Sequence, residues 1–222
     1  LGFRVRRHQL GSAPAADPVV WEEKDKSFYT GISKSKSGRF VRIDSQSTLA
    51  SEVRLLDADR PTEPFRLFLP RERDHEYAVE DLGDRFVVRT NWQAKNFRLM
   101  VAPAATTSDR ATWRDLAAHR DDIFIDDFEA FPGFVAIAER SMGLRRLRIL
   151  PLDGSGERYF ETDEADSTAW LAYNAEQATT KLRYGFTSLR TPESTFEVDM
   201  QTGARVLLKQ QGISCSERFV AD

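Results

Sequence analysis

A strand-like segment returns four times along this chain at nearly constant spacing, and that recurrence constrains the fold more than any other feature. The segments are Arg39-Phe40-Val41-Arg42-Ile43, Arg85-Phe86-Val87-Val88-Arg89, Gly133-Phe134-Val135-Ala136-Ile137 and Leu182-Arg183-Tyr184-Gly185-Phe186. They begin at residues 39, 85, 133 and 182, so the intervals are 46, 48 and 49 residues. A period of that length holds four short antiparallel strands and their turns. One such unit cannot bury both of its faces, so several must stack around an axis. The chain is therefore expected to be all-β, a partial β-propeller of about four four-stranded antiparallel blades.

Strict alternation of apolar and polar residues supports half-buried strands. Phe97, Leu99 and Val101 alternate with Arg98 and Met100; Phe196, Val198 and Met200 alternate with Glu197 and Asp199. Phe65, Leu67 and Leu69 alternate with Arg66 and Phe68, and each set is expected to place its large residues on one face. Between them lie turn signals such as Ser37-Gly38, Leu82-Gly83-Asp84, Pro132-Gly133 and Gln201-Thr202-Gly203. By period the blades fall at 25–69, 70–117, 118–161 and 162–210, after the end of a preceding blade at 1–24 and before an exit segment at 211–222. Short helices are expected at Thr112 to Ala118 and around Asp17 to Lys24.

Composition excludes several classes of function. The formal net charge is −3 and arginine is dispersed among the strands, so neither nucleic acid nor a charged membrane surface is an expected partner. No run approaches the roughly 20 apolar residues of a membrane span. The single cysteine, Cys215, permits no internal disulfide and favours a reducing, cytoplasmic setting. The first residues contain no signal-peptide core and no initiator Met, and this end reads as a cut inside a longer protein.

Catalytic motifs are missing. Gly31-Ile32-Ser33-Lys34-Ser35 lacks the final glycine of a nucleophile elbow, and Gly154-Ser155-Gly156 is a turn. His8, His75 and His119 are widely separated and have no metal-ligand spacing. No phosphate-cradling glycine loop occurs, and neither a metal nor a cofactor is expected. The acidic pairs Asp121-Asp122 and Asp126-Asp127, and the run Asp163-Glu164-Ala165-Asp166, read as solvated turns at blade edges rather than as a metal site. Trp21, Trp92, Trp113 and Trp170 read mostly as packing between blades rather than as a ligand platform.

A set of ordered segments carries a family resemblance. They are Trp21-Glu22-Glu23-Lys24-Asp25 before Phe28-Tyr29, Ser51-Glu52-Val53-Arg54, and Pro70-Arg71 followed by Asp74-His75-Glu76-Tyr77. Lys95-Asn96-Phe97, His119-Arg120-Asp121-Asp122, Glu139-Arg140 with Gly143-Leu144, and Tyr184 with Thr191-Pro192 continue the series. Over nearly its whole length the chain resembles the N-terminal propeller of the oligopeptidase B (protease II) branch of the prolyl oligopeptidase family of serine peptidases. Ser216-Glu217-Arg218-Phe219 resembles the run where that branch leaves the propeller for its α/β-hydrolase domain. The preceding stretch, Gln210 to Cys215, is shorter than the family's usual linker.

The resemblance implies a seven-bladed ring in the intact protein, with the catalytic Ser, Asp and His beyond residue 222 and none in this chain. It implies hydrolysis of short peptides after Lys or Arg, the ring admitting substrates by size, and the chain's own α/β-hydrolase domain as its partner. Glu76, Asp126 and Asp127 are the residues expected to attract basic peptides at the access route. An opened ring is expected to self-associate, because two terminal blade faces lose their neighbours. The rival reading is a stand-alone propeller that serves as a binding scaffold without catalysis. A carbohydrate-active propeller enzyme would need paired carboxylates across a central cleft.

Overall fold

The computed structural model describes residues 3–160, 164 and 166–212. The strands are arranged in sequential antiparallel sheets, as the repeat requires. The first sheet is a two-stranded ribbon of β1 (Arg4–Arg6) and β2 (Val19–Glu22). The second contains β3 (Tyr29–Lys34), β4 (Phe40–Gln46), β5 (Ser51–Asp57) and β6 (Arg66–Leu69). The third contains β7 (Tyr77–Asp81), β8 (Arg85–Thr90), β9 (Arg98–Pro103) and β10 (Arg114–Ala117). The fourth is β11 (Phe124–Phe131), β12 (Phe134–Ser141), β13 (Leu144–Pro151) and β14 (Arg158–Tyr159). The last is β15 (Ser167–Leu171), β16 (Lys181–Ser188), β17 (Ser194–Asp199) and β18 (Arg205–Gln210). Each four-stranded sheet is a meander in which every strand pairs with its neighbour in sequence, the construction of a propeller blade.

The four recurring segments coincide with β4, β8, β12 and β16, the second strand of each blade. A second strand is paired on both edges, so its pattern is the most constrained and the easiest to read. In β12, Val135, Ala136 and Ile137 are fully buried, which leaves no polar face.

The chain divides into two units, Leu1–Asp121 and Asp122–Asp222. In the first, the blade β3–β6 presents Phe40, Val53, Leu55, Phe68 and Leu69 to Tyr77, Val79, Phe86, Val88 and Met100 of the blade β7–β10. Phe68 meets Phe86 edge to face at 5.2 Å. Polar side chains stitch the same two blades together. Arg42 of β4 donates to the Val79 carbonyl (2.8 Å), and Arg39 bonds Asp81 and the Gly83 carbonyl.

In the second unit, Phe131, Ala136, Leu147 and Ile149 of β11–β13 pack with Leu182, Tyr184, Val198 and Met200. Trp170 lies across β16 at Gly185, its register partner. A Cβ on Gly185 would overlap the indole ring, so glycine is required there by close approach.

Several sequence expectations are corrected. Thr112 to Ala118 is not a helix: a 3-10 turn at Arg110–Thr112 leads into β10, which pairs with β9. Trp113 is buried there with its indole N–H on the Thr107 carbonyl, and one turn of helix could not have stood alone. Asp17 to Lys24 holds β2, where Val19, Trp21 and Glu22 follow Pro18 and pair with β1.

The expected faces of two strands also change. Leu99 and Met100 are consecutive and both buried, because β9 is covered on both sides, and Phe97 precedes the strand at φ 64°. In β6 a bulge opposite Val53 and Arg54 skips Phe68, so Phe68 and Leu69 are both buried. Asp126 and Asp127 lie within β11 rather than in a turn. The expectations for Cys215 and for Ser216 to Phe219 lie outside the described residues. No helix among the described residues is long and apolar enough to cross a membrane.

Candidate functional site

Glu76 stands at the entry to β7, and its position follows from a tight local framework. Its N–H donates to Asn91 Oδ1 (2.9 Å), and its carbonyl accepts from the Asn91 N–H (3.2 Å). The neighbouring Tyr77 turns the other way, into the core between the two blades. There its hydroxyl donates to the Leu69 carbonyl (2.7 Å) and accepts from the Val53 N–H (2.8 Å), beside the bulge between β5 and β6. Ser51 closes the contact, donating to the Tyr77 carbonyl and accepting from its N–H. Period-2 geometry therefore fixes Tyr77 inward and Glu76 outward.

Glu76 lines a cleft of about 230 Å³ between the blades, with Arg42, Asp44, Gln46, Glu52, Ala78 and Arg89 among its walls. Most of these charges are committed. Arg42 bonds Asp44 (2.9 Å) as well as Val79. Glu52 is paired with Arg54 and Arg71, and Arg71 also holds Glu23 at 2.7 Å. Burial pushes the Glu23 carboxyl up, but the Arg71 hydrogen bond and charge outweigh it and leave the group below the usual range. Arg89 lies over the Phe97 ring at 3.6 Å. The Glu76 side chain has no hydrogen bond or ion pair among the described residues, and it is half-buried.

Asp126 and Asp127 belong to the second unit and differ from each other. The register of β11 on β12 passes from Ile125↔Glu139 to Asp127↔Ala138, so Asp126 is the extra residue of a bulge. The bulge aims it at Arg140 (2.5 Å) and Arg145 (3.4 Å), which neutralise it. Asp127 is exposed and accepts from the Phe128 N–H at 2.9 Å. Glu76 lies in the first unit, Asp126 and Asp127 in the second.

The described residues assemble no hydrolytic centre. Among the described residues no hydrogen bond joins a histidine to a serine or cysteine side chain. His8 pairs with Asp17 near the surface. His75 is buried, with Nδ1 accepting from Arg110 (2.9 Å) and Nε2 donating to Thr90 Oγ1 (2.8 Å). Burial and the Arg110 charge push its pKa down to about 4, so it is a neutral structural group. No cluster of His, Cys, Asp or Glu among the described residues is suited to hold a metal ion. Sequence reading singled out Glu76 but missed Arg42, Asp44 and Arg89 around it. The outward alternation of Glu76, Ala78 and Glu80 along β7 was the available signal.

Blades of sequential four-stranded meanders define a propeller domain. The chain belongs to the prolyl oligopeptidase N-terminal β-propeller family, whose profile it matches over residues 2–211. It is 44% identical over 214 residues to dipeptidyl aminopeptidase BI of Pseudoxanthomonas mexicana, covering 96% of this chain and 29% of that protein. It is 30% identical over 208 residues to protease 2 of Moraxella lacunata, covering 94% and 29%. Among solved structures, oligopeptidase B from Trypanosoma brucei, in a closed form with covalently bound antipain, superposes with a TM-score of 0.87 at 26% identity. That match covers 95% of this chain and 31% of that one. The chain thus spans under a third of the length of these relatives.

Proposed function

We propose that this chain is the non-catalytic propeller portion of an oligopeptidase B-like serine peptidase that hydrolyses short peptides after Lys or Arg. The observation that carries the reading is the match of nearly the whole chain to the propeller third of peptidases, and among the described residues no histidine bonds a serine or cysteine side chain. The reaction is acyl transfer to a serine in an α/β-hydrolase domain that is the chain's partner in the full-length protein. The propeller gates that site by size. In the first unit the blades β3–β6 and β7–β10 are locked to one another by buried aromatics and by an arginine-to-carbonyl bond, which supports a stiff access route that excludes folded proteins. Glu76 and Asp127 draw basic peptides towards it, while Asp126 is held by its two arginines. A single cysteine supports a reducing, cytoplasmic setting.

A second reading is favoured by the 44% identity to a protein named as a dipeptidyl aminopeptidase. In that case the full-length protein removes dipeptides from a free N-terminus. One experiment separates the two. The full-length protein is given an Arg-containing fluorogenic peptide with its N-terminus either free or acetylated. Cleavage of both forms supports the endopeptidase, whereas cleavage of the free form alone supports the aminopeptidase. Rapid cleavage of folded proteins would contradict size gating in either case.

A further inference from the structure

We infer that Glu76 is a specificity-determining residue that receives a second cationic group of the peptide, apart from the side chain at the cleaved bond. The inference rests on the peptidase reading above and narrows it to one carboxylate. Three observations support it together. The cleft of about 230 Å³ is large enough for the end of a lysine or arginine side chain or for an α-amino group. Its other acids are already occupied: Asp44 by Arg42, and Glu52 by Arg54 and Arg71. Farther along the same face of β7, Glu80 is met by Lys36 at 3.8 Å. Glu76 alone in this set has no partner for its charge.

The surroundings keep that charge available rather than screened. The backbone of Glu76 is pinned on both sides by Asn91, so the carboxylate is held in place without being consumed. Ala78 beside it is exposed and small, which leaves room on the strand. The cationic groups nearest in the cleft are Arg42, tied to Asp44 and the Val79 carbonyl, and Arg89, seated over Phe97. A half-buried carboxylate facing a cation in such a cleft contributes a modest, salt-sensitive gain in binding.

The test uses the full-length enzyme, its Glu76→Gln variant, and Glu63→Gln as a control. Glu63 is exposed in the loop between β5 and β6, so the control removes an equal charge elsewhere. Four fluorogenic peptides share one Arg at the cleaved bond. They carry either a second Arg or citrulline upstream, each with a free or acetylated N-terminus. For cationic peptides Glu76→Gln should lower kcat/KM about fivefold through KM, with kcat and Tm unchanged. The loss should shrink in about 0.5 M NaCl, where screening acts within roughly 4 Å. If citrulline abolishes the loss, the cation is a side chain; if acetylation abolishes it, the cation is the α-amine. Equal loss on all four peptides, no loss, or the same loss in Glu63→Gln would overturn the assignment. Should the wild-type enzyme cleave none of them, the Lys/Arg reading fails. Calorimetric titration of the dipeptide Arg-Arg into wild type and Glu76→Gln then decides the role of Glu76 by itself, with equal affinities overturning it.

Discussion

Replacing Tyr77 with phenylalanine removes one oxygen from the seam between two blades and should cost more than a typical hydrogen bond. The Tyr77 hydroxyl serves two backbone groups at once, donating to the Leu69 carbonyl at 2.7 Å and accepting from the Val53 N–H at 2.8 Å. Val53 and Leu69 face each other across β5 and β6 beside the bulge, and the hydroxyl bridges the N–H of one to the carbonyl of the other. Tyr77 is 4% exposed, and water does not reach the site. Each buried group left unsatisfied costs about 1–3 kcal/mol. Partial relaxation of the bulge offsets some of this, leaving an expected loss of about 2–4 kcal/mol. Equilibrium urea denaturation of this chain, followed by tryptophan fluorescence, reads it directly, since Trp113 is in the same cluster. A loss below about 0.5 kcal/mol with an unchanged m-value would refute the reasoning, because the hydroxyl would then have been dispensable to both partners.

Gly185→Ala should destabilise the second unit by about 1–3 kcal/mol, because the added methyl meets the Trp170 ring; an unchanged Tm would mean the indole moves freely. His75 gives a pH signature. Its folded pKa of about 4 lies below the unfolded value of 6.5, so the unfolded chain takes up the proton first as pH falls. Its contribution is complete above pH 6.5, declines between 6.5 and 4, and levels off below. The ceiling is roughly 3 kcal/mol, and about half that after solvent screening. A His75→Gln variant should flatten this part of the stability profile, and an unaltered slope would remove His75 as the cause. The isolated chain should self-associate, since Val206, Leu207 and Leu208 are exposed on the edge strand β18; a monodisperse monomer by light scattering would contradict this.

Much of this architecture was legible because period and alternation are backbone properties. The second strands β4, β8, β12 and β16 carried the strongest signal, since a strand paired on both edges tolerates little variation in pattern. What sequence could not supply was the effect of neighbours. Alternation assigns Met100 and Phe68 to exposed faces, yet β9 is buried on both faces and a bulge turns Phe68 inward. Trp113 looked helical within a short polar segment, and its burial is decided by Thr107 and the β9 edge. The acids illustrate the same limit. Glu76, Asp126 and Asp127 are alike in sequence, whereas a bulge gives Asp126 two arginines, and among the described residues the Glu76 carboxylate has no partner.

The most direct measurement compares hydrolysis of an Arg-containing fluorogenic peptide by this chain and by the full-length protein at equal concentration. Turnover by the full-length protein and none by the chain is the expected result, with catalysis outside these blades and the propeller acting as the gate. Turnover by the chain itself would contradict it, and would require a catalytic site where, among the described residues, no histidine bonds a serine or cysteine side chain.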